Sequence, residues 1–368
     1  MLGFVASLVC SGALTACQAP SVPPRTYPAM SRRVLVVIND GSQDSRAVGD
    51  YYVRKRMIPP ANVVRINTSA SENVTFDEYR FGIEDPIRRA IARSKTPIDF
   101  IVTTRGVPLR LRDNNGYSVD GHLAAMNLKF EAIPDSGTNF TPADIQRSLN
   151  PYRGATERFT SKKFNMYLVT RLDAYTLPQT KSLIDRSLQA RRVSGPFVLD
   201  MAGNRKSGGY GELNQALKVA GDVLLRKGFT VDVDTAEAYA KPTKPLAGYA
   251  SWGSNDGKFD LAAYRSLKFL PGAIAETFVS TSGRTFLPTE GGQSLIADLV
   301  AQGVTGVKGY VSEPFTFALA RPEVLFDRYT AGWTLAESFY SASLVTKWKD
   351  IVIGDPICAP YAPDDEPI

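Results

Sequence analysis

Arg33-Val34-Leu35-Val36-Val37-Ile38-Asn39-Asp40-Gly41 decides the fold class, because five consecutive apolar residues run without a break into an Asn-Asp-Gly turn. A strand wetted on one face alternates apolar and polar residues, whereas an unbroken run belongs to a strand covered on both faces, as in a parallel sheet. Beyond the turn the period becomes helical. Asp44 or Ser45 is placed to cap it, Val48, Tyr51, Tyr52 and Lys55 fill its turns, and Pro59-Pro60 ends it. A second strand is expected at 63–66, a helix capped by Thr75 at 76–93, and a third strand at 98–103. Strand and helix alternating in this way is the doubly wound α/β pattern.

The same alternation resumes further on, with strands expected at 164–170, 197–199, 230–233, 246–251, 273–279, 305–310 and 350–353, and helices at 176–192, 212–227, 292–302 and 334–343. Between 110 and about 160, Asn, Gly, Pro and Ser crowd together without a sustained period, which reads as a long excursion holding one short helix near Leu123. The expectation is an α/β protein with a mostly parallel sheet and helices on both faces. It is organised as an N-terminal half (33–160), a C-terminal half (161–361) and a tail (362–368), joined as one continuous module or as two halves.

Composition sets outer limits. The 368 residues are 43% hydrophobic and 22% charged, the proportions of a globular protein with ample chain for a core, which excludes collagen, coiled coil and long disorder. Residues 2–16 are uncharged and mostly apolar, too short for the roughly 20 residues of a membrane span, and end in Leu14-Thr15-Ala16-Cys17 before a polar, Pro-rich linker to residue 32. Residues 1–16 therefore read as an export signal. Small residues directly before a cysteine match a bacterial lipoprotein box, so Cys17 is expected to carry lipid. Gln18 behind it implies sorting to the outer membrane, on its periplasmic face.

Three cysteines and one histidine exclude a disulfide framework and a His/Cys zinc site, and no cofactor is expected. The formal charge of +6 favours anionic surfaces, phosphorylated lipid or acidic polysaccharide, over nucleic acid.

Ligands of open parallel sheets gather beyond the carboxyl ends of the strands. That rule selects Arg105, Asp200, Trp252, Asn255, Ser280, Ser282 and Glu313. An Arg there suits a bidentate grip on carboxylate or phosphate, or else pairs with a neighbouring carboxylate. Asp200 and Glu313 are a candidate acid/base pair, with turn and cap residues as the plainer reading. Ser282 is a candidate nucleophile, and the single imidazole, His122, has Asp120 two residues before it as a candidate orienting group. Asp113-Asn114-Asn115-Gly116 and Asn255-Asp256-Gly257 carry calcium-type side chains without EF-hand spacing and are read as turns. Residues 203–211 are glycine-bearing but lack the Lys and Ser/Thr of a phosphate loop.

Val34 to Asn39, Ile58-Pro59-Pro60-Ala61-Asn62-Val63, Gly106-Val107-Pro108-Leu109-Arg110, Ser118-Val119-Asp120, Arg171-Leu172-Asp173, Pro271-Gly272-Ala273-Ile274-Ala275, Glu313-Pro314 and Gly354-Asp355-Pro356 occur in this order. With this ordered set the chain resembles, over roughly 33–361, a bacterial family of unassigned activity found chiefly in species that carry the exosortase protein-sorting system. The resemblance implies a cell-envelope setting linked to sorted surface proteins or exopolysaccharide. More distantly, the last half resembles the caspase-like fold of gingipain-type cysteine peptidases. There the His-Gly place is held by Trp252-Gly253 and the Cys place by Ser280 to Ser282, so the resemblance implies the fold without the cysteine chemistry. The resulting expectation is a lipid-anchored binding or accessory factor, with Arg105, Asp120, Trp252 and Asn255 as ligand contacts. The alternative is a peptide or glycan hydrolase using Ser282 or the Asp200 and Glu313 pair.

Overall fold

A computed structural model describes residue 25 and residues 27–113, 116–129 and 141–363. Residues 1–24, with the expected signal and Cys17, lie outside the described residues, as do Asn114, Asn115 and the tail from 364. The opening apolar run is β1 (Val34–Asn39), buried at every position. Burying one such side chain contributes about 1.5–3 kcal/mol, which is why the run is continuous where both faces are covered. The described residues hold eleven further strands: β2 (Val63–Ile66), β3 (Asn73–Val74), β4 (Phe100–Thr104), β5 (Arg110–Leu111), β6 (Leu168–Leu172), β7 (Phe197–Asp200), β8 (Val231–Asp234), β9 (Leu246–Ser251), β10 (Phe269–Thr277), β11 (Gly306–Tyr310) and β12 (Asp350–Gly354).

Ten strands make one sheet in the order β2-β1-β4-β6-β12-β11-β10-β9-β7-β8, and β3 pairs with β5 apart from it. Neighbours within β2-β1-β4-β6 and within β11-β10-β9-β7-β8 are parallel, and β12 is antiparallel to β11. Both parallel blocks finish at one end of the molecule. Glu72, beyond β2, accepts the amide of Phe286, beyond β10 (2.7 Å), and Ser312, beyond β11, donates to the carbonyl of Gly116 (2.6 Å). β6 pairs with β4, so the sheet runs unbroken across residue 160. A side chain at Gly306 would meet Leu335, and one at Gly309, facing the other way, would meet Ile296. The helices Leu335–Ser341 and Ile296–Ala301 therefore cover opposite faces, giving the expected α/β architecture.

Local differences from the sequence reading have identifiable causes. Ser42, rather than Asp44 or Ser45, caps Gln43–Arg56 through the Ser45 amide (3.2 Å), while the Ser45 hydroxyl turns inward to lie 2.6 Å from that of Thr104. The helix at 76–93 is interrupted by a π turn, Arg80–Glu84, before Asp85–Arg93. Pro86 has no N–H to bond back to Gly82, and its ring would press on that carbonyl in a continuous helix. The helix at 292–302 begins only at Ile296, because Gln293 is committed to the loop: its side-chain oxygen accepts both the amide and the hydroxyl of Thr281. β10 starts four residues earlier than expected, since a register shift between Phe269 and Ile274 absorbs Pro271-Gly272, with Gly272 at φ 91°. The excursion after Arg110 holds β5 and the helices Val119–Ala124 and Pro142–Arg147, where one helix was expected.

Candidate functional site

The carboxyl ends of β9, β10 and β11 open into a cleft of about 690 Å³. One wall is the loop from Arg205 into the helix Gly208–Arg226, and the facing wall is the segment 313–319 after β11. Gly209 lets these walls approach: a Cβ there would lie 2.7 Å from the Thr316 hydroxyl.

Trp252, directly after β9, forms part of the lining and is otherwise buried. Its indole N–H donates to Asn214 Oδ1 (2.6 Å), and Asn214 Nδ2 donates to the carbonyls of Ala202 (2.9 Å) and Arg205 (2.8 Å). The Arg205 guanidinium lies 4.8 Å from the Tyr210 ring centroid and 5.4 Å from that of Trp252. Its Nε and Nη2 donate to the carbonyl of Asn255 (2.8 and 2.6 Å). Asn255 in turn donates to the Phe278 carbonyl (2.7 Å) and accepts from Gln293 (3.1 Å). Phe278 meets Trp252 edge-on at 5.0 Å. Three strand-end loops are thus tied into one rigid wall by side chains of Arg205, Asn214 and Asn255. On the opposite side Phe315 holds φ 63°, uncommon for a residue with a side chain, and Glu313 accepts its amide (3.0 Å).

Of the residues selected from the sequence, Trp252, Asn255, Ser280 and Glu313 line this cleft. Ser282 does not: it is fully buried and its hydroxyl has no hydrogen-bond partner in the structure. Asp200 is also absent from the lining, so the Asp200 and Glu313 pair is not assembled there. Its carboxylate is buried at the end of β7 without a partner of good geometry, and burial, then Asp256 and Asp234, push its pKa up to about 7 against the pull of the Ala240 amide.

Arg105 faces a separate depression of about 200 Å³ with Ser42, Glu72 and Phe286. It is held by Asp44 (2.8 Å) and Asp173 (3.0 Å), the carboxylate-paired alternative. Burial raises Asp173 to about 6, opposed by Arg171 and Arg105. Asp120 is a correction. It is buried in a two-point ion pair with Arg171 (2.6 and 3.0 Å), whose guanidinium also donates to the carbonyls of Val107 and Pro108. Asp120 therefore orients no imidazole and faces no ligand. His122 is buried among Phe76, Tyr79 and Tyr117, with Nδ1 3.2 Å from the Ser118 carbonyl. Burial, then Lys347, lowers its pKa to about 3. Cys358 is buried, and its thiol is pushed up to about 12.

No family model and no curated protein matches the chain. Among solved structures it is similar to gingipain R, an Arg-specific cysteine proteinase, at a TM-score of 0.53 and 11% identity, covering 92% of this chain and 80% of that one. The fold resembles a gingipain's. A structure described as a protease matches at a TM-score of 0.51 and 11% identity, over 90% of this chain and 78% of that one. The gingipain likeness takes in nearly the whole chain, where the sequence pointed only to the last half.

Arg205, Tyr210, Asn214 and Gln293 escaped the sequence reading. The one signal in the sequence is the Gly-bearing stretch at 203–211, which lacks the Lys and Ser/Thr of a phosphate loop. Among the described residues no group of His, Cys, Asp and Glu is placed to hold a metal ion, and no helix is long and apolar enough to cross a membrane.

Proposed function

We propose that the protein is a lipid-anchored binding factor of the bacterial cell envelope, acylated at Cys17, whose cleft holds a polypeptide segment of a sorted surface protein without cutting it. The observation that carries this reading is the Arg205 guanidinium lying against Tyr210 and Trp252 in the cleft wall. A guanidinium fixed against aromatic faces keeps its remaining N–H groups for a carboxylate, and Glu313, Ser280 and Thr316 supply further polar contacts. Two further facts support binding over turnover. The lining residues include no thiol or imidazole, and the hydroxyls present, on Ser207, Tyr210, Ser280 and Thr316, share the cleft with a single carboxylate, Glu313, which accepts the amide of Phe315. A polypeptide is the favoured ligand because the solved neighbours of this fold are proteases. The setting, a host with exosortase-type sorting, rests on the ordered motifs from Val34 to Pro356.

Titration calorimetry of the full chain against acidic, basic and neutral peptides, and against acidic and neutral oligosaccharides, tests this reading. Saturable binding of carboxylate-bearing peptides, lost in Arg205→Ala and leaving every peptide intact by mass spectrometry, is expected. Binding of oligosaccharides alone overturns the choice of ligand. Cleaved peptide, or labelling of Ser280 by a serine-directed probe, favours the hydrolase reading instead.

A further inference from the structure

The end of the sheet opposite the cleft carries an unusual charge pattern. Arg32 precedes β1, Lys95 precedes β4 and Lys162 precedes β6, while Arg192, Lys244 and Lys268 precede β7, β9 and β10. All six side chains are exposed, and none has a carboxylate partner among the described residues. Of the carboxylates at this end, Asp232 at the start of β8 is exposed without a cation partner among the described residues, and four others are in the opposite condition. Asp99 is paired with Arg33, Glu157 with Lys163, Asp327 with Lys227, and Asp355 with buried Arg56. The net uncompensated charge is therefore positive and spread across the width of the sheet. Basic residues also favour the carboxyl ends of helices, which lie at this end, but three of the six (Arg192, Lys244 and Lys268) stand outside any helix, while Arg32 caps one and Lys95 lies beyond one.

The amino terminus reaches the same end. Arg25 donates to the carbonyls of Ala359, Pro360 and Ala362, and the Tyr27 hydroxyl donates to Ala359 (2.8 Å), just beyond β12. The eight peptide steps from Cys17 to Arg25 span at most roughly 28 Å.

We infer that this basic end is a docking surface for the anionic phospholipid headgroups of the membrane, holding the protein upright with its cleft turned away from the bilayer. Attraction of this kind fades within about a Debye length, roughly 10 Å at 0.1 M salt, so it requires the short tether that the amino terminus provides. The choice of lipid over another polyanion rests on the Cys17 anchor proposed above.

Flotation of the full chain with phosphatidylcholine vesicles, with and without phosphatidylglycerol, separates anchor from surface. Phosphatidylglycerol is expected to raise partition at least about tenfold at low salt, with the gain lost at high salt. The gain should also vanish in a chain carrying Arg32→Glu, Lys95→Glu, Arg192→Glu and Lys268→Glu, whose fold is checked by circular dichroism. Cys17→Ser should lower partition on both compositions alike, and if it changes nothing the anchor reading fails while the phosphatidylglycerol gain still reports on the surface. Equal partition of the parent on both vesicles overturns the inference, as does a fourfold variant that floats like the parent. So does binding of the parent to soluble alginate without any phosphatidylglycerol gain, which would make the surface one for acidic polysaccharide.

Discussion

The amide of Asn214 holds the indole of Trp252 at 2.6 Å and, with its other end, the backbone of Arg205 at 2.8 Å. One side chain on the helix Gly208–Arg226 thus fixes both partners of the guanidinium and aromatic contact in the cleft.

Asn214→Ala removes the partner of the buried indole N–H, of the Ala202 amide and of the Arg205 carbonyl, while the Ala202 carbonyl keeps the Arg205 amide. A loss of about 1–3 kcal/mol is expected by urea titration. Peptide binding in the cleft should weaken beyond what the remaining folded fraction accounts for.

Asp200 makes the protein less stable as pH rises. Its folded pKa, about 7, stands above the ordinary 3.8, so between those values the folded chain holds a proton that the unfolded chain has released. Stability should fall through this window, and Asp200→Asn, which stays neutral, should be more stable than the parent at pH 8 by up to a few kcal/mol, roughly 1.4 per pKa unit. The advantage should disappear near pH 4 in parallel thermal melts.

His122 acts in the opposite direction. Its folded pKa of about 3 lies below the ordinary 6.5, so on acidification the unfolded chain takes up a proton that the folded chain refuses. Stability from this group is complete above pH 6.5 and declines towards pH 3. His122→Phe, which keeps a ring among Phe76, Tyr79 and Tyr117, should flatten that part of the acid limb.

Asp120→Ala strands a fully buried Arg171 guanidinium, and a cost of about 3–5 kcal/mol is expected in chemical denaturation. Asp120→Leu combined with Arg171→Met should recover most of that loss, and neither variant should alter binding in the cleft, which these residues do not line.

The sequence made the sheet legible because burial on both faces turns β1, β4 and β9 into runs that need no alternation to be recognised. Two-residue pairings such as β3 with β5 leave no such trace. The strand-end rule found Trp252, Asn255 and Glu313, since it depends only on where a strand stops. It could not rank Ser280 against Ser282, because depth below the surface depends on how the loop after β10 folds back, here through the amide of Ser282 bonding to the Val279 carbonyl. Arg205 was missed because its importance comes from two rings, at 210 and 252, that only the fold brings to it.

β12 is the last of the twelve strands among the described residues, yet it lies between β6 and β11 in the middle of the sheet. Without residues 350–354 the two parallel blocks have open inner edges and no strand pairing between them. Proteolytic clipping ahead of Asp350 would therefore leave two half-sheets with exposed edges, so one five-residue strand holds the two blocks together as a single sheet.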